Sequence, residues 1–428
     1  MSHGVNEIQS MGARWTLLLN FIVHLVMSPL SPYPALLALI VALAVASLLV
    51  NRTGAPPTSG RFVSLDGLRG YLAFFVFVFH STMWYFFLRT GEMTVPPSHL
   101  YAHFGQDSVL LFFMITGFLF WSKLIDAKRY PIDWTKLYIS RGMRLIPLYL
   151  FAFSLMIAMV AVLSHFSLRE SPPALLKHSL AWLTFSVFGQ PDINQSMTSR
   201  QMLGDNWTLP YEWFFYFSLP AFGLLFRFVP SIWYLALSTV TVVLFALWIS
   251  NTHMLYGFGG GIVAAFAARS ETFRLWASGT TAAVIALAAV VAGVWFFPSG
   301  YSRVVLLLLT LAFTIIACGN SLFGILTSAI SRTLGEMGYS IYLLHGALLF
   351  ITFRVILGYA RAAALSSTEH WLIVFAVAAV LILVCSATYR LIEAPAMHST
   401  PRVHAWVKAK LQAAAKYRAG SALALRKH

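Results

Sequence analysis

Runs of apolar residues recur along the whole chain, and they decide what it can fold into. No charged residue stands between Arg274 and Arg303. The hydrocarbon core of a bilayer needs about 20 predominantly apolar residues to be crossed by a helix. Ala35–Val50, extended by its flanks, meets that demand. Ten further segments follow near 63–88, 105–125, 145–165, 208–227, 231–250, 254–268, 276–297, 302–318, 338–358 and 371–392. The composition agrees: 59% of residues are hydrophobic and 10% charged, whereas soluble domains average about 25% charged. The expected fold is all-α, a polytopic membrane helix bundle with about ten core transmembrane helices and one or two N-terminal helices before them. Trp15–Met27 is apolar but short and interrupted by Asn20 and His24, so it reads as a short first span or an interfacial helix. Three parts result: N-terminal helices and a linker over 1–60, a core over 61–396, and a basic tail over 397–428.

The formal charge of +15 has a membrane reading before a nucleic-acid one. Lys and Arg concentrate in cytoplasmic loops and beside anionic lipid. Lys123, Lys128, Arg129, Lys136, Arg141 and Arg144 crowd one connection, which is therefore expected inside. Alternating the spans from there puts the basic C-terminal tail in the cytoplasm and the long 166–206 connection outside. No nucleic-acid partner is expected, and the bilayer itself is the first partner. Cys318 and Cys385 both lie in apolar runs, without disulfide or metal-binding spacing, so no metal is expected.

Within this frame one stretch stands out. Arg69 and His80 are eleven residues apart on the same helix, hence on one face and about 16 Å apart along the axis. Ionisable groups within a membrane segment are costly and point to function by default. The 208–227 segment runs the opposite way, which puts Glu212 at a depth like that of His80; a carboxylate there would orient the imidazole as a general base. On the inner side Arg141 and Arg144 share a helical face at i, i+3, with Arg69 and Lys136 at similar depth. Guanidinium forks suit phosphate oxygens, whereas a lone pair of such cations would only set topology. His345 lies mid-span with Tyr342 one turn before it, and packing explains it as well as function does. Asp66 and Arg69 are placed to pair. The glycines of HMLYGFGGGIVAAF (253–266) allow either close helix packing or a break. Asp192, Asn194, Gln195, Asp205 and Asn206 give the 166–206 connection the groups a sugar needs, as any solvated loop would.

Six stretches together resemble the acyltransferase 3 family of integral-membrane O-acyltransferases. These are SLDGLRG with the Arg-x10-His spacing to His80, VLLFFMITGFLF with Thr116 where Ser is usual, YISRGMRLIPLYL with Leu145 for Ile, WTLPYEWFFYF, MGYSIYLLH and TYRLIEAP. The resemblance is to the stand-alone type, without an SGNH-hydrolase-like extension. It implies transfer of an acyl group, usually acetyl, from cytoplasmic acyl-CoA (acetyl-CoA) to a hydroxyl of a carbohydrate acceptor at the outer face of a bacterial inner membrane. O-antigen or exopolysaccharide is the first choice of acceptor. Carried over residue by residue, His80 and Glu212 would be catalytic, and Arg69, Arg141 and Arg144 would hold the donor. The rival reading from the residues alone is a glycan or small-molecule transporter, whose broken helix the glycine run would supply. A non-catalytic scaffold would leave the Arg69–His80 stripe unexplained.

Overall fold

The computed structural model describes residues 26–57, 62–127, 129–226, 230–248 and 253–425, and these contain helices and connections but no strands. The expected first apolar segment lies almost wholly outside them. In chain order the helices are α1 (Pro32–Thr53), α2 (Val63–Thr90), α3 (His99–Asp126), α4 (Trp134–Leu163), α5 (Pro172–Leu183), α6 (Thr198–Leu203), α7 (Leu209–Gly223), α8 (Ile232–Trp248) and α9 (His253–Ala267). Then come α10 (Glu271–Ala277), α11 (Thr280–Phe296), α12 (Arg303–Ala317), α13 (Ala329–Glu336), α14 (Gly338–Phe350), α15 (Tyr359–Ala364), α16 (Ser367–Thr388) and α17 (Ala394–Leu425). The all-α reading holds, and the chain is built as a multi-pass membrane protein.

Among the described residues six helical runs are long and apolar enough to cross a bilayer: α1, α2, α3, α4, α14 with its continuation to Ile356, and α16 with α17. α8, α9 and α12 are apolar but shorter. The span expected at 276–297 is nearly all α11, which α10 meets at 75° across Ser278 and Gly279. Small residues of this kind are common places for a helix to kink. Starts and stops follow local chemistry. Ser31 and the prolines behind it begin α1, the Asp133 carboxylate takes the Lys136 amide at 2.9 Å at the start of α4, and Ser366 with Glu369 forms a reciprocal capping box on α16.

Helix α2 is the axis. It packs on α3, α13 and α14, while α9 lies along α3 and α1 along α16. Between lipid-soluble helices no hydrophobic force remains, so packing depends on small residues that let backbones approach. Gly67 and Gly70 of the LDGLRG stretch do this against Leu326 and Leu334, where an added Cβ would fall 2.0 and 2.6 Å from backbone atoms. The glycine run does the same for α9 against α3: a Cβ on Gly261 would lie 2.1 Å from the Met114 carbonyl oxygen. α9 is unbroken across these glycines, so the run is a packing surface and not a hinge. Gly261→Val must push two backbones apart, and overpacking of this kind costs about 1–3 kcal/mol or more. Purified in detergent, the variant is expected to unfold at a clearly lower temperature; an unchanged transition would mean the close approach carries no stability.

The basic tail is helical as far as Leu425, and it does not start as a separate element. α16 passes through one wide turn at 389–393 directly into α17, which packs on α4.

Candidate active site

Two cavities open along α2, one beside Arg69 and one beside His80. The first, of about 260 Å³, is lined by Arg69, Arg141, Arg144, Glu212, Tyr216 and Tyr339 among others. Arg69 stands one turn above Asp66 and pairs with it at 2.6 Å, as the i, i+3 spacing predicts. Arg141 and Arg144 come from the same face of α4; Arg141 lies 5.5 Å from the centre of the Phe120 ring, and Arg144 donates to the Met397 sulfur at 3.6 Å. The expected inner cluster is therefore real in space. Lys136 is not part of it and lines a neighbouring cavity with Lys123 and Arg141.

The second cavity, of about 360 Å³, is lined by His80, Asp205, Gln106, Arg200, Gln201 and Trp207, with apolar side chains of α2 and α3. Here His80 Nε2 meets Asp205 Oδ1 at 2.8 Å, and His345 Nε2 meets the other oxygen, Oδ2, at 2.9 Å. Each ring turns its Nδ1 to the carbonyl one helical turn back, Val76 at 2.9 Å for His80 and Ile341 at 3.1 Å for His345. A carbonyl only accepts, so both Nδ1 atoms carry hydrogen. A proton taken up at either Nε2 would therefore sit between imidazole and carboxylate. The two rings approach to 3.1 Å, with Asp205 joining them. Asp205 lies in the connection between α6 and α7, outside the spans. Its burial would raise its pKa, but the imidazoles of His80 and His345 outweigh that and hold the carboxyl well below the usual carboxylate range.

Glu212 was expected beside His80, and the structure corrects this. Glu212 belongs to the first cavity, where it accepts the Tyr216 hydroxyl at 3.0 Å and feels the charges of Arg141, Arg144 and Arg69. The carboxylate at His80 is Asp205. The error came from counting depth from the first apolar residue of the 208–227 run. α7 does not begin at the membrane edge. The segment 198–208 before it is inserted into the bundle, with Thr198, Ser199, Gln201, Met202, Leu203, Asn206 and Thr208 all buried. Irregular backbone at such depth is tolerated where protein covers it or it lines a cavity, and 204–208 does both as a short tight helix. Glu212, two turns further along, therefore falls to the level of the arginines.

His345 was left open between packing and function, and its contact with Asp205 resolves it as part of the cluster. Both could have been paired by one rule: two histidines inside apolar spans call for a nearby acid, and Asp205 lies two residues before the WTLPYEWFFYF run. The other polar groups of 166–206 serve the connection itself. Asn194 is bound to the Arg169 amide and the Ser167 carbonyl, and Asp192 holds Arg200 through two bonds of 2.7 and 2.8 Å. Tyr149 and Trp182 tie the same connection to the bundle through the Trp182 and Pro191 carbonyls.

Fold and site together define a multi-pass membrane protein with two adjoining polar cavities enclosed by its helices. The acyltransferase 3 family model, described as an acyltransferase domain, matches residues 62–390, and the chain belongs to that family. It is thus a membrane acyltransferase. Among curated proteins it is similar to Acyltransferase MdmB of Streptomyces mycarofaciens, 26% identical over 385 residues that cover 80% of this chain and 93% of that protein. No solved structure matches it.

Proposed function

We propose that the chain moves an acyl group, usually acetyl, from acyl-CoA to a hydroxyl of a carbohydrate such as an O-antigen or exopolysaccharide sugar. One observation carries this reading: the arginine cavity and the His80–Asp205 cavity adjoin, with Val109 and Tyr342 lining both. The donor's phosphates would bind Arg69, Arg141 and Arg144, with the thioester directed toward Tyr342. The acceptor hydroxyl would enter the other cavity and give its proton to the His80–Asp205 pair. Its oxygen then attacks the thioester carbonyl, the C–S bond breaks, and the CoA thiolate leaves and takes up the proton. The concentration of cations in 123–144 supports an arginine side facing the cytoplasm of a bacterial inner membrane, with the C-terminus on that side.

A transporter would carry its solute unchanged, and the packed glycine run removes the feature that most favoured one. The deciding experiment supplies radiolabelled acetyl-CoA to the purified chain in proteoliposomes loaded with candidate glycans. Acetyl label on glycan together with free CoA is expected. Label that stays on CoA while glycan crosses the membrane would overturn the reading. Mass spectrometry of envelope glycans from cells with and without the chain then identifies the acceptor by the mass of each lost acetyl.

A further inference from the structure

The two cavities have lining in common. Val109 of α3 and Tyr342 of α14 line both chambers. The Tyr342 ring is fixed in that position. Its hydroxyl donates to the backbone carbonyl of Asp205 at 2.8 Å, and the Thr208 hydroxyl lies 2.8 Å from the same oxygen. A phenol has one proton, so the bond to the carbonyl leaves Thr208 to donate to Tyr342. The Phe112 ring meets the Tyr342 ring edge to face at 5.9 Å between centroids. One turn further, Gly346 brings α14 close enough to α6 that a Cβ would stand 2.8 Å from the Met202 carbonyl oxygen, so the helix carrying Tyr342 cannot slide away. Both ends of the phenol are thus held, one by the segment that carries Asp205 and the other by the backbone of α14.

We infer that Tyr342 is a specificity-determining residue: its ring is the partition that an acyl group must pass to reach His80, and it limits the length of acyl chain transferred. This rests on the donor entering from the arginine cavity. A two-carbon acyl group can extend past the edge of a fixed ring that would stop a longer, more flexible chain. The hydroxyl has a separate effect, because it holds the backbone of Asp205. Removing the hydroxyl alone should therefore change the rate, whereas removing the ring should change which donors are used.

The test measures CoA release by the full chain in nanodiscs from acetyl-CoA, butyryl-CoA and hexanoyl-CoA, with water as the default acceptor. Tyr342→Leu is expected to raise the butyryl to acetyl ratio of kcat/KM at least about tenfold, which is of the order that a few methylenes in an apolar passage confer. Tyr342→Phe is expected to lower kcat for every donor and leave that ratio within about twofold. Val109→Ala widens the passage from α3 and should move the ratio in the same direction as Tyr342→Leu, a second measurement should the first variant fold poorly. A ratio unmoved in both Tyr342→Leu and Val109→Ala overturns the partition, as does an equal change in Tyr342→Phe. CoA release by wild type that persists in His80→Ala would instead overturn the acid–base reading of His80 in the proposed function, and it is scored separately because it does not depend on chain length.

Discussion

Replacing His80 by Ala is expected to lower acyl transfer by roughly 10²–10⁴-fold, and adding Asp205→Asn to it should lower the rate little further. The two side chains share one contact of 2.8 Å and act as one acid–base unit, so removing either removes the unit. Asp205→Asn alone should approach the loss of His80→Ala. The amide keeps the shape but cannot hold the charge that orients both imidazoles. Glu212→Gln is the control, since it lies with the arginines and should not share this non-additivity. Rates of labelled acetyl transfer for the two single variants and the double variant, at saturating donor, give the coupling directly. Losses that multiply would show that the residues act in different steps. A Glu212→Gln variant that couples to His80 more strongly than Asp205→Asn would restore the pairing expected from depth alone.

The second large effect belongs to the donor. The double variant Arg141→Ala with Arg144→Ala should raise the KM for acetyl-CoA by roughly 10²-fold or more, because a hydrogen bond to a charged group contributes about 1.5–3 kcal/mol. Binding that is equal in the ground and transition states changes KM and leaves kcat alone, so kcat for the double variant should stay within about threefold of wild type. Arg144→Lys should recover only part of the loss, since an ammonium keeps the charge but not the fork. Initial rates over a range of acetyl-CoA concentration separate the two parameters. A large fall in kcat with unchanged KM would place these arginines at the reacting carbonyl instead of at the phosphates.

Much of this was legible in the sequence, and for physical reasons. Lipid imposes helices, so apolar run length alone predicted an all-α bundle, and it located α1 to α3 to within several residues, whereas α4 begins at Trp134, well before the expected 145. Helical periodicity placed Arg69 with His80 and Arg141 with Arg144, and these four line the two cavities as expected. Depth was where sequence reasoning failed. It assumes that each span starts at the membrane edge, and α7 does not, because the polar segment before it is buried in the bundle. The same assumption left Asp205 among the loop residues that might meet a sugar. The glycine run was ambiguous for a different reason: small residues permit both a break and a close approach, and only the neighbour, Met114, decides which. The bend between α10 and α11 falls at Ser278 and Gly279, which apolar run length alone does not mark.

The inserted segment has a consequence for how such a protein can diversify. Residues 198–208 carry Asp205 on one side and Arg200, Gln201 and Trp207 on the wall of the second cavity. In the proposed reading, the acid that meets His80 and the acceptor wall are thus written on the same eleven residues or so, counted over about three helical turns. A single insertion or deletion there would rotate Asp205 away from His80 and reshape the wall at once. Side-chain exchange at Arg200, Gln201 or Trp207 reshapes the wall without altering the length of the segment. Divergence toward new acceptors is therefore expected by substitution within a segment of fixed length, while the arginine end can keep the same donor throughout.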